Sequence, residues 1–418
     1  MSTFYFLNKG FAAVRSKVNN AAEGELHEEV GTGGVQAVSV RGRIGQVRWS
    51  VEQADSVTFY GVAMDGRQGI SLDNFSVRGS SGLHLRSIPL HTLCDFQRLR
   101  PYDLIVVQYG LNVATERGVK YDGYKKGMLS VIEHLKTAFP ETSILLVSVG
   151  DREYKNENGD LRTMPGVKNL IRYQQSIAAD SHIAFWNMYE AMGGQGSIVD
   201  MIGQKMANLD YTHINFKGGK HLAGILFETL MYGKEQYERR KAYEENNRFP
   251  GLSGIAMVLF LFLLFPCLYA QDAIPALSRP LEPLRIPGET KEMHRGMRLI
   301  TVHDSLPASF THSLDNVIED ENRSLSPFFQ KLNDMTGPVR IVHIGDSHVR
   351  GHLYPLITRR GLEHDFGAEA VYPDVISYRT GGLAHETGEP GIVYHMIGIN
   401  GATSVSYTHL RAHETEAD

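Results

Sequence analysis

Three short blocks of the chain hold residue types that could together carry out nucleophilic acyl chemistry. In Val342-His343-Ile344-Gly345-Asp346-Ser347-His348 an apolar, strand-like run ends on a Gly-Asp-Ser turn. Ser347 is the candidate nucleophile, because glycine allows the tight backbone and a serine at a strand-to-helix junction has its own amide at a helix start, where an oxyanion can be held. In Asp210-Tyr211-Thr212-His213 a carboxylate stands three residues before a histidine. It can fix the imidazole tautomer and leave the other ring nitrogen to accept a proton from a serine. Asn112 closes Gln108-Tyr109-Gly110-Leu111-Asn112 after an apolar run. Its side-chain amide could donate to a developing oxyanion at the strand end where α/β sheets put their ligands.

Each block alone has a plainer reading. Gly-Asp-Ser-His is also a helix N-cap, and Asn after a strand is often just a turn residue. With 18 histidines in the chain, Asp210 and His213 could meet in a surface loop by chance. They could also bind a metal, but no third ligand is placed nearby.

The elements that must position these blocks read as α/β. Leu104 to Tyr109 and Ile144 to Val149 read as buried parallel strands, with Tyr121 to Ala138 and Asn169 to Ala179 as helices between and beside them, and a new strand begins at Val339. A further helix follows Phe216-Lys217-Gly218-Gly219. Before them, Val35 to Val62 alternates apolar and polar residues with glycine punctuation, the pattern of short antiparallel strands. The expected organisation is a β-rich accessory unit over 1–70 and an α/β part over 71–245. A hydrophobic segment follows over 251–270, then a Pro- and charge-rich linker over 271–335, a second α/β part over 336–404 and a tail over 405–418. Trp186, Tyr109 and Gly82 could line an acyl pocket or could belong to core and turns.

Bulk properties narrow the classes. The 418 residues suffice for two or three domains. A net charge of −5 gives no basic excess and argues against a nucleic-acid partner. With only Cys94 and Cys267, neither a disulfide framework nor a cysteine-rich metal site is expected. The run Ile255 to Ala270 is short for a bilayer span, which needs about 20 residues. Basic residues before it and Ala270 before Gln271-Asp272 match the regions of a signal peptide. A tilted membrane helix, giving membrane contact through 255–270, and a buried core helix are the alternatives.

Taken together, the three blocks resemble the signature motifs of the SGNH hydrolases, also called GDSL esterases. The resemblance covers most of 30–235 and 336–404. It implies a three-layer α/β/α, flavodoxin-like fold with the small β-rich unit as part of an insert. It makes Ser347 the nucleophile, His213 the general base, Asp210 its orienting carboxylate and Asn112 an oxyanion donor. Gly79 or Gly401 would be the oxyanion glycine, with Gly79 preferred for its distance before the Asn112 strand. The wording around the motifs is similar to bacterial enzymes that remove acetyl groups from peptidoglycan or other envelope glycans. This implies an O-acylated carbohydrate substrate, no metal or organic cofactor, and a periplasmic or secreted location.

The order of the blocks departs from the family, which runs from Ser to Asn to Asp-x-x-His. Either the back half of one esterase is joined to the front half of a paralogue, as the internal signal-like segment favours, or the chain is a circular permutant. Val405 to Thr415 resembles a translated sequencing adapter, so His409 and His413 receive no role. A chain of misjoined halves without catalysis, a carbohydrate-binding remnant and a membrane-anchored structural component are the rival expectations.

Overall fold

The structure, a computed structural model, describes residues 1–66, 69–77, 79–248, 316–350, 358, 362 and 397–404. The hydrophobic segment 251–270, the linker as far as 315 and the tail 405–418 lie outside the described residues.

The first six strands are β1 (Ser2–Asn8), β2 (Phe11–Val18), β3 (Glu25–Val30), β4 (Gln36–Val40), β5 (Val47–Ala54) and β6 (Val57–Met64). Their pairings are antiparallel and form two sheets, β3-β2-β5 and a sheet in which β6, β1 and β4 are neighbours. Phe4, Phe6, Val14, Val38 and Trp49 fill the space they enclose. Sequence patterning marked β4 to β6 but not β1 to β3.

β7 (Ile70–Ser76) opens the α/β part. After it come α1 (Leu90–Leu99), β8 (Leu104–Gln108), α2 (Asp122–Ala138) and β9 (Ser143–Val147). The short hairpin β10 (Glu153–Lys155) and β11 (Leu161–Thr163) leads into α3 (Pro165–Asp180), β12 (Ala184–Trp186), α4 (Met188–Met192), α5 (Ser197–Gly203) and α6 (Phe216–Arg248). From the later part of the chain come α7 (Ser326–Asp334), β13 (Val339–Gly345), the short α8 (Ser347–Arg350) and β14 (Ile397–Ser404).

The central sheet has the order β12-β9-β8-β13-β7 and is parallel throughout. Counted from β13 as the first strand, this is the order 2-1-3-4-5 of flavodoxin-like sheets, whose switch point lies between strands 1 and 3. Here that crevice lies between β13 and β8. A strand from residue 339 onward thus slots between two strands that lie more than 200 residues before it.

Alternation along the strands makes three layers. Ile105, Val107, Ile144, Leu146, Val342 and Ile344 face α1, α2 and α3. Leu104, Val106, Leu145, Val147, Val339 and Ile341 pack with α4 to α7 on the other side. In α2 the buried Tyr124, Met128, Val131, Ile132 and Leu135 recur at helical spacing and form one apolar stripe. The fold class is therefore α/β, with helices on both faces of a parallel sheet. Residues 316–335, assigned from composition to the linker, are part of this body. Glu319 bridges to Phe185 at the edge strand, and Phe328, Phe329 and Leu332 of α7 are buried. Their Pro and charged neighbours masked the apolar stripe.

One buried ionic cluster ties the accessory unit to the sheet. Arg100, 1% exposed, donates to Asp65 just after β6 (2.6 and 3.1 Å) and to Asp73 of β7 (2.5 and 2.9 Å). Tyr102 Oη adds a bond to Asp73 at 2.8 Å.

Candidate active site

β13 ends beside β8, with Gly345 opposite Gln108. A Cβ on Gly345 would lie 2.8 Å from the Gln108 carbonyl oxygen and against Val349, so only glycine lets the two strands close up there. Asp346 follows, 2% exposed, and its Oδ1 accepts the His348 amide at 3.1 Å across the start of α8. Burial pushes its carboxyl up to about 6, against the opposing pull of the His348 amide, the charge of His213 and the Leu111 amide. Ser347 is the first residue of α8.

The Asp210 to His213 segment is a loop held at both ends. Asp210 Oδ1 accepts the amides of Thr212 (3.0 Å) and His213 (2.9 Å), an Asx-type turn, and Tyr211 takes a φ of 56° to close it. The Tyr211 carbonyl accepts the Glu153 amide at 3.1 Å, and Asn208 N–H bonds to His213 O at 2.8 Å. Asn215 then caps α6, its Oδ1 accepting the amides of Lys217 and Gly218.

Within this frame Asp210 Oδ2 and His213 Nδ1 are 2.7 Å apart, and His213 Nε2 lies 3.4 Å from Ser347 Oγ. Partial burial opposes ionisation of Asp210, but its hydrogen bonds from His213 and Thr212 outweigh it and hold the carboxyl below its ordinary value. A carboxylate, an imidazole and a hydroxyl thus stand in series, an arrangement able to move a proton off Ser347. The outer contact is long, as such contacts commonly are before substrate tightens them.

Asn112 stands across the crevice after β8. Its Nδ2 donates to Ser80 O at 3.1 Å and to Asp346 Oδ2 at 3.5 Å. The second bond is at the limit of hydrogen bonding, so one amide hydrogen is only loosely held. Gly79, at a φ of 73°, lies in the loop after β7 immediately before Ser80. Val77 N–H in the same loop bonds to Gly345 O at 2.8 Å. Gly79 therefore shares the loop that Asn112 contacts. Gly401 instead belongs to β14, which pairs with β6 in the accessory sheet.

Trp186 and Tyr109 are fully buried, and a Cβ on Gly82 would meet the Tyr109 ring at 2.7 Å. All three are packing residues. Among the described residues, no group of three or more His, Cys, Asp or Glu is placed to hold a metal. Nor is any described helix long and apolar enough to cross a membrane.

Sequence reasoning gave no role to three further residues near the site. His348 is 6% exposed, its ring stands edge-to-face with that of His213 at a centroid distance of 5.5 Å, and the Thr212 backbone hydrogen-bonds to it. Burial, then the charge of His213, lowers its pKa to about 4, which keeps the ring neutral. His343 is buried below the turn, its Nε2 2.9 Å from Gln108 Oε1, and burial lowers it to about 3. Arg152 Nη1 donates to Leu111 O at 3.3 Å, next to Asn112. Direct adjacency to Ser347 was a sequence signal for His348; Arg152 had none.

No protein-family model matches the chain. No curated protein matches it either. Among solved structures it is similar to one described as "Peptidoglycan O-acetylesterase in action, 5 min", with a TM-score of 0.40 and 17% identity over 54% of this chain and 62% of that one. It is also similar to a family two carbohydrate esterase from Clostridium thermocellum in complex with cellohexaose (TM-score 0.20, 11% identity, 45% of this chain and 78% of that one). A carbohydrate esterase family 2 enzyme plus carbohydrate binding domain from Corynascus thermopiles (Myceliophthora fergusii) follows (TM-score 0.17, 10% identity, 45% and 81%). The chain spans less than two thirds of the length of the O-acetylesterase, and these structural neighbours are acetyl or carbohydrate esterases.

Proposed function

We propose that the chain is a serine esterase that hydrolyses acyl esters, O-acetyl esters in particular. Ser347 Oγ attacks the ester carbonyl as His213 Nε2 takes its proton. His213 then protonates the leaving alcohol, and water repeats the cycle on the acyl-serine. Asp210 holds the imidazole with Nε2 toward Ser347 and stabilises the imidazolium. Asn112, the Gly79 amide and the Ser347 amide receive the oxyanion, and Asn112 turns its loosely held hydrogen from Asp346 to do so. The observation that carries this reading is the series Asp210 Oδ2, His213 Nδ1 at 2.7 Å, and His213 Nε2 to Ser347 Oγ at 3.4 Å.

The substrate we propose is an O-acetylated carbohydrate of the cell envelope, met in the periplasm or outside the cell. Its support is the likeness of the motif wording to envelope deacetylases. A catalytically incomplete chain is the second reading, favoured by the 3.4 Å outer contact and by the bond from Asn112 to Ser80 O. A displacement of about 1 Å in such a relay can cost about 10²-fold in rate.

Hydrolysis of a small chromogenic acetate ester by the full chain, beside Ser347→Ala and His213→Ala, separates the two. Turnover lost in both variants supports the esterase; no turnover in the parent supports the incomplete chain.

A further inference from the structure

We infer that Arg152 forms a carboxylate-binding subsite beside Ser347, so that the preferred ester is carried on an acidic sugar. The inference rests on the esterase reading and specifies its substrate.

Arg152 lies beyond the C-terminal end of β9. Val147 of β9 is level with Gln108 of β8, which is level with Gly345 of β13. The loops bearing Arg152, Asn112 and Ser347 therefore leave the sheet at one edge, where open α/β sheets bind ligands. The Arg152 backbone is pinned there. Its carbonyl accepts the Met164 amide at 2.8 Å, and the next amide, that of Glu153, donates to Tyr211 O at 3.1 Å. From this anchor beside the Asp210 loop, the side chain reaches Leu111 O at 3.3 Å. It thus spans from the loop that carries His213 to the loop that carries Asn112.

The guanidinium is under-used where it stands. It is half-buried, its Nε is shielded from solvent with no hydrogen-bond partner, and among the described residues it makes no ion pair. Arginine is rarely buried without a partner, because its charge and donors are costly to desolvate. Arg100, which is fully buried, has two carboxylates. One long bond to a neutral carbonyl leaves most of the Arg152 fork for a planar, singly charged acceptor, and a carboxylate matches that fork with two parallel bonds.

The test compares acetate release from mono-O-acetylated glucuronate, mono-O-acetylated glucose and para-nitrophenyl acetate by the full chain and by Arg152→Gln and Arg152→Lys. Arg152→Gln is expected to raise KM for the glucuronate ester about tenfold or more. Its kcat/KM for the two neutral esters should stay within about twofold, and Arg152→Lys should recover part of the loss. Equal losses on all three esters would make Arg152 a strut for Leu111 and overturn the inference, as would an unchanged KM for the glucuronate ester. Calorimetric titration of acetylated glucuronate into Ser347→Ala, which leaves the ester intact, reads the subsite independently of turnover. Binding weakened by adding Arg152→Gln, with a parent that cleaves nothing, would sustain the subsite while sinking the esterase reading. No binding by Ser347→Ala would overturn the subsite itself.

Discussion

His213 and Ser347 stand 134 positions apart in the chain, and His213 Nε2 lies 3.4 Å from Ser347 Oγ. The contact exists because β13 enters the sheet between β7 and β8, which sets the turn after β13 opposite the loop that leads into α6. The relay is therefore only as good as the supports on each side of it.

Asp210 is the support on the histidine side. Asp210→Asn keeps an acceptor for the Thr212 and His213 amides but loses the charge that favours imidazolium. We expect kcat for an acetate ester to fall about 10²- to 10⁴-fold with KM little changed. Steady-state kinetics on the purified variant checks this, and a kcat within twofold of the parent would remove Asp210 from the relay.

Asp346 supports the serine side and makes stability depend on pH. Its folded pKa is about 6, raised by burial from an ordinary 3.8. The folded state therefore holds this proton more tightly than the unfolded chain does. The stabilisation is complete below pH 3.8 and is lost as pH rises through 6, an effect of up to about 3 kcal/mol. Asp346→Asn should flatten that part of the stability profile and gain most at pH 7. Urea midpoints at pH 4, 5, 6 and 7 measure it; a parent whose stability rises over this interval while the variant runs parallel would contradict the assignment.

Gly345 is a steric requirement of the same turn. A methyl group there meets the Gln108 carbonyl at 2.8 Å, so β13 and β8 must part or the turn must shift. Gly345→Ala should cost about 1–3 kcal/mol of stability and lower ester turnover by more than tenfold, read from denaturant curves and initial rates. Full turnover would mean that the turn does not set the Ser347 position.

Much of this was legible in the sequence, and β7 shows why part of it was not. β8, β9 and β13 are buried on both faces and read as continuous apolar runs. β7 lies in the same sheet but was not recognised, because Ser71, Asp73 and Asn74 interrupt its pattern. Asp73 and Asn74 are held in the interior by tertiary partners that no local pattern reveals. Asp73 meets Arg100 and Tyr102, and Asn74 Nδ2 donates to Val349 O at 2.8 Å across 275 positions. The site blocks could be found from residue type and spacing, since Asp210 and His213 are local to each other. That Arg152 bridges two of the loops, and that His348 packs on His213, depends on contacts between distant segments.

The Arg100 cluster tests how the accessory sheets are joined to the α/β body. Arg100→Met would leave Asp65 and Asp73 buried without their shared cation, and should cost about 3–5 kcal/mol at neutral pH. Denaturant unfolding gives the value, and a loss below about 1 kcal/mol would show that the two carboxylates find other compensation.

The central claim is that Ser347 is a nucleophile activated by His213, and the most direct measurement is covalent capture. The full chain is incubated with a fluorophosphonate, which phosphonylates activated serines, and the modified peptide is located by mass spectrometry. The account predicts one adduct on Ser347, its formation slowed by at least about 10²-fold in His213→Ala. Capture on another serine, or no capture at all by the folded parent, would contradict it.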